Sequence, residues 1–133
     1  MPEENVEVLR RLLDAFNRRD RPAWLELADP GVKNIPPRDW PESDPIQGRE
    51  AVWDFYVEAF DAWEKDAVVP VELIDAGNDK VVTHIRGEVR GQASGADVIW
   101  SFWQVSTFRD GKVLRVAWFA DRAEALEGAG LSA

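Results

Sequence analysis

The chain contains no cysteine among its 133 residues. A disulfide framework, a thiolate nucleophile and a thiolate metal site are therefore excluded. One histidine, His84, and no H-E-x-x-H motif leave only carboxylates as metal ligands, and these are scattered over helix faces; no metal or cofactor is expected. Positive charge is scarce as well. Sixteen Lys and Arg face 25 Asp and Glu, a formal charge of −9, whereas a nucleic-acid or anionic-membrane partner is held by neutralising its phosphates with cations. No apolar run is long enough to span a bilayer. Met1-Pro2-Glu3-Glu4 has neither the basic nor the apolar segment of a signal peptide, so a cytoplasmic location is expected. Internal repeats, low-complexity tracts and linkers are also lacking, which predicts one domain over 1–133.

What is present is globular: 45% hydrophobic and 31% charged residues, enough to bury a core. Val6, Leu9, Leu12, Leu13 and Phe16 recur at helical spacing and predict an amphipathic helix over 4–19. Asp20 reads as the N-cap of a short second helix with Pro22 in its first turn, and Asp29-Pro30-Gly31 as its stop. Residues 36–48, with four prolines and Gly48, read as a stiff irregular loop long enough to act as a lid. A third helix follows from about Arg49 to Glu64, its apolar face made of Val52, Phe55, Tyr56, Ala59, Phe60 and Trp63. From Ala67 the period becomes extended. Ala67–Asp75, Lys80–Gln92, Asp97–Arg109 and Lys112–Ala120 predict four strands, separated by turn signals at Ala76-Gly77-Asn78-Asp79, Ser94-Gly95 and Asp110-Gly111. Short turns predict an antiparallel meander. Asp121 with Glu124 opens a last short helix that Gly128 ends. Helices followed by a meander make an α+β fold.

Several strings, in this order and spacing, resemble the SnoaL-like branch of the nuclear transport factor 2-like superfamily. They are Glu4-Asn5-Val6-Glu7 through Phe16-Asn17-Arg18-Arg19-Asp20, Gly48-Arg49-Glu50-Ala51-Val52, Ile74-Asp75-Ala76-Gly77-Asn78, Phe108-Arg109-Asp110-Gly111-Lys112-Val113 and Asp121-Arg122-Ala123-Glu124-Ala125-Leu126. The resemblance spans essentially the whole chain. It implies a cone-shaped curved antiparallel sheet, the meander plus a short N-terminal strand, wrapped around three helices and followed by a short C-terminal helix. It also implies a pocket and a homodimer through the sheet's outer face. No single activity follows, because members include isomerases, cyclases, epoxide hydrolases, dehydratases and pure binding proteins.

Two enzyme patterns of that superfamily can be laid on the residues. In ketosteroid isomerases a carboxylate base follows the second helix, and a tyrosine and a protonated Asp form an oxyanion hole. Here the base position holds Asn34, no tyrosine lies in the first helix, and the strand Asp is replaced by Gln104, able to hydrogen-bond a ligand oxygen. In limonene epoxide hydrolases an Arg-x-Asp pair and an Asn-x-Pro resemble Arg86-Gly87-Glu88 and Asn34-Ile35-Pro36, but the second acid falls at Trp118 and a water-holding Tyr at Val32. Arg86 and Glu88 equally suit a solvated cross-strand ion pair. His84 shares their strand face and is a candidate on the same terms; ordinary patterning would turn all three outward, the enzyme pattern inward. The candidate catalytic residues are thus Glu88, Arg86, Asn34 and His84. The resemblance places Gln104, Trp118 and Val116 on the concave side, and with Trp100, Phe102, Phe16 and Tyr56 these make up the expected ligand-binding set. Trp103 and Val105 fall on the convex side, where a partner subunit would cover them. The expectation is a pocket protein for a small apolar or polyketide-like metabolite, with cofactor-free isomerase or cyclase chemistry. Epoxide hydrolysis and a non-catalytic binding or dimerisation module are the alternatives.

Overall fold

The computed structural model describes residues 2–37, 44–61, 67–90 and 97–131; the side chains of 2–3, 60–61, 67–68, 88–90 and 97–100 lie outside the description. Two helices come first, α1 (Pro2–Asn17) and α2 (Arg21–Leu27), then strands β1 (Ala28–Ile35) and β2 (Ile46–Gln47) and helix α3 (Arg49–Asp61). Strands β3 (Ala67–Gly77), β4 (Lys80–Arg90), β5 (Asp97–Arg109) and β6 (Lys112–Phe119) follow, and helix α4 (Arg122–Gly128) ends the series. The six strands form one curved sheet in the order β2-β1-β6-β5-β4-β3. Every neighbouring pair is antiparallel except β1 and β6, so the sheet is mixed rather than antiparallel.

The expected α+β fold is present, with two differences. Asp29-Pro30-Gly31 does not stop α2 into a loop: α2 ends at Leu27 and the chain enters β1 at once. A proline fits there because its missing N–H is no loss where the β1–β6 register slips between Ala28 and Lys33. The predicted loop over 36–48 carries β2, while residues 38–43 lie outside the description, as do Trp63 and the Ser94-Gly95 turn. The caps are as expected. Asp20 accepts from the Ala23 N–H (3.2 Å) and Asp121 from the Glu124 N–H (2.8 Å).

Side chains alternate between two cores. The concave side packs against α1–α3 through Leu9, Leu12, Phe16, Trp24, Val52, Trp53, Tyr56, Val81, Ile85, Val113 and Val116. Trp53, outside the predicted apolar face of α3, is 5% exposed and lies against Phe16 and Trp24, with ring centroids 5.8 and 5.5 Å away. The convex side carries Val82, Trp103 and Val105 under Ala125, Leu126 and Ala129 of α4 and its C-cap. Trp103 and Val105 are therefore covered by their own chain, at 9% and 4% exposure, and the apolar surface expected to seek a partner subunit there is already buried. Among the described residues no helix is long and apolar enough to cross a membrane.

Candidate ligand-binding site

Between α1, α2, α3 and the concave sheet lies a cavity of about 60 Å³. Leu9, Leu12, Leu13 and Phe16 close it from α1, Trp24 and Tyr56 from α2 and α3, and Ile85, Val113, Val116 and Trp118 from the sheet. Two neutral polar residues of β5 complete the wall, Gln104 and Ser106, two apart in the strand and so on the same face. The Ser106 hydroxyl is buried without a hydrogen-bond partner among the described residues. So is that of Thr83, the cross-strand neighbour of Gln104. A buried hydroxyl left unpaired costs about 1–3 kcal/mol, which a ligand oxygen or a water restores.

Asn34, 1% exposed, sits behind this wall. Its side-chain oxygen accepts from the Tyr56 hydroxyl at 2.5 Å and from the Trp118 indole N–H at 2.7 Å. An indole N–H only donates, so the atom it meets must be the amide oxygen, and both lone pairs of that oxygen are taken. Asn34 thus ties β1 to α3 and β6 and fixes two aromatic lining residues. Its oxygen has no capacity left to position a water. Burial pushes the Tyr56 phenol far above its usual value, with Trp118 opposing weakly, so the hydroxyl stays protonated and donating at neutral pH.

Of the expected ligand-binding set, Gln104, Trp118, Val116, Phe16 and Tyr56 line the cavity. Phe102 packs its ring against Trp118 at 5.8 Å without reaching the wall, and the Trp100 side chain lies outside the description. Of the candidate catalytic residues whose side chains are described, Asn34 on the concave side is not brought together with His84 and Arg86. His84 lies flat against Trp103, centroids 4.3 Å apart and planes 3° apart, on the convex side. Arg86, two residues on with no register slip in the β4–β5 pairing, is exposed on that same side, across the sheet from Asn34. The Glu88 side chain lies outside the description. Strand parity turns Arg86 outward, so Arg86 does not supply the Arg bridge in the pocket that the epoxide-hydrolase pattern requires. Ser106 was not singled out from the sequence, although it shares strand parity with Gln104.

The sequence of residues 9–116 matches the model of the SnoaL-like domain. The chain belongs to the SnoaL-like domain family. The nuclear transport factor 2-like architecture expected of such a domain is what its helices and curved sheet display. A search of curated proteins finds no match to the sequence. Among solved structures, one assigned as a SnoaL-like polyketide cyclase from Jannaschia sp. CCS1 is 25% identical, with a TM-score of 0.76 over 96% of this chain and 91% of that one. TerC co-crystallised with polyporic acid is 22% identical, with a TM-score of 0.75 over 96% and 98%. RV0760c from Mycobacterium tuberculosis, in complex with estradiol-17beta-hemisuccinate, is 16% identical, with a TM-score of 0.72 over 86% and 92%.

Proposed function

We propose that this SnoaL-like domain binds a small, uncharged, largely apolar metabolite carrying one hydrogen-bonding oxygen, which Gln104 and Ser106 hold. One observation carries the reading: an apolar wall interrupted on a single strand by a cavity-facing amide and an unpartnered buried hydroxyl. Small-molecule sites typically combine an apolar lining with a few placed polar groups that fix orientation. The solved neighbours with polyporic acid and an estradiol derivative support a ligand-holding role for the fold. Every described lining side chain is apolar or neutral at physiological pH, which favours binding over proton transfer, since acid–base catalysis works best with a group titrating near neutrality. Size matters too. An apolar cavity of about 150 Å³ takes a benzene ring. At about 60 Å³ this one accepts a ring only if the half-buried lining side chain of Leu13 turns aside.

The test compares phenol with benzene, which differ by one hydroxyl, using NMR shifts of the cavity residues. Phenol should bind about 3–10-fold more tightly, the worth of one hydrogen bond. The difference should vanish in Gln104→Leu/Ser106→Ala while benzene affinity stays unchanged. Equal binding of the two compounds by the native chain would refute the polar-handle reading, and turnover of a cyclic epoxide would refute the non-catalytic one.

A further inference from the structure

The convex face is layered in a way the inner cavity does not explain. One cross-strand row reads Gln47, Lys33, Arg115, Thr107, Lys80, one residue from each of β2, β1, β6, β5 and β4. The next row, two residues along each strand, reads Ile35, Ala117, Val105, Val82 and Ile74. Where the basic row meets the apolar one, beside the end of α4, lies a groove of about 560 Å³ with Val105, Ala117 and Phe119 among its walls. That volume is within the range of small-molecule sites, about 300–1,000 Å³.

The charges are the unusual part. Lys33 and Arg115 are direct cross-strand partners, an arrangement that destabilises a sheet. In a chain with 25 acids, some cations elsewhere have carboxylates, as Arg18 has Asp14, Arg122 has Glu72 and Arg109, near the end of β5, has Asp29, while others such as Arg10 and Arg21 have none among the described residues. Among the described residues, Lys33, Arg115 and Lys80 have no ion-pair partner and no acid lines the groove. From Lys33 to Lys80 is three strand spacings, roughly 14 Å, too far for all three to meet on one phosphate. Lys33 and Arg115, one spacing apart, suit a single carboxylate, the guanidinium offering its planar fork.

We infer that this groove is a second binding site, for a free amphiphilic carboxylate whose head lies on Lys33 and Arg115 and whose apolar body lies over the half-buried Ala117 and Phe119. A chain of −9 is a poor ligand for an anionic bilayer or a nucleic acid. A second copy is disfavoured as well, because a two-fold contact centred on the groove would set the cations against their own duplicates.

Titration of the full chain with decanoate below its micelle concentration, followed by NMR and calorimetry, tests the assignment. Binding should shift the amides of Ala117 and Val105, weaken as salt is raised, and fall at least tenfold in Lys33→Gln/Arg115→Gln. Circular dichroism of that variant should match the native chain, since both side chains are exposed. Gln104→Leu should leave decanoate affinity unchanged, separating this site from the inner cavity. Equal affinity of the double variant, displacement of decanoate by phenol, or a native dimer that decanoate fails to dissociate would each overturn the assignment. The last outcome would give the groove to a second copy.

Discussion

Asn34 shows how one side chain decides what a site does. At the position where a related enzyme pattern wants a carboxylate base, the amide instead accepts two short hydrogen bonds and holds Tyr56 and Trp118 against the cavity. The residue type was legible; its saturation was not, because Tyr56 and Trp118 lie 22 and 84 residues away and nothing local announces them. Tyr56 is the only tyrosine in the chain, so its titration can be read alone. Burial holds its phenol protonated in the folded state at pH values where the unfolded phenol, with a pKa near about 10, ionises. The unfolded state then binds fewer protons than the native state, and stability falls as pH rises above about 10. Below that pH the contribution is fully present. Phenolate absorbance should therefore appear only together with loss of structure, and Tyr56→Phe should flatten the alkaline fall in stability. Phenolate forming in the intact fold at about pH 10 would contradict the buried clamp.

Elements were easier to read than faces. Each strand of the meander follows a Val- and aromatic-rich run bounded by turn residues, and Asn78, Asp79 and Asp110 take the positive φ such tight turns need. β1 was hidden because Asp-Pro-Gly signals a stop, and its parallel pairing with β6 depends on residues near the other end of the chain. Which face of β4 turns inward was likewise undecided by alternation alone; α4, covering Trp103, settles His84 and Arg86 on the outside. The end of α4 carries a packing constraint of its own. A Cβ on Gly128 would stand 2.6 Å from Cζ of the Phe119 ring. Alanine normally favours a helix over glycine by about 1 kcal/mol, but overpacking costs about 1–3 kcal/mol. Gly128→Ala should therefore destabilise the chain in urea unfolding, and the same change in a Phe119→Leu background should be neutral or stabilising. Equal effects in both backgrounds would mean the ring yields freely.

At the scale of the whole molecule, the site joins parts that chain connectivity keeps apart. The turns β3–β4 and β5–β6 are tight, so their pairings close short loops, whereas β1 docks on β6 only after a loop of some eighty residues is closed. Loop-closure entropy must be met before such non-local contacts return anything, so long-range pairings form late. The Asn34 clamp should thus be absent from the folding transition state, which the meander dominates. Asn34→Leu orphans two donors, and at about 1–3 kcal/mol each, reduced for half-buried Trp118, it should cost roughly 2–4 kcal/mol. That is large enough for kinetic analysis. The loss should fall on the unfolding limb of the chevron, with the folding rate nearly unchanged. Val82→Ala, fully buried in the β4–β5 pairing, should instead slow folding. If Asn34→Leu slowed folding as much as Val82→Ala does for equal loss of stability, β1 would already be docked when the barrier is crossed. The cavity would then be assembled with the sheet rather than sealed after it.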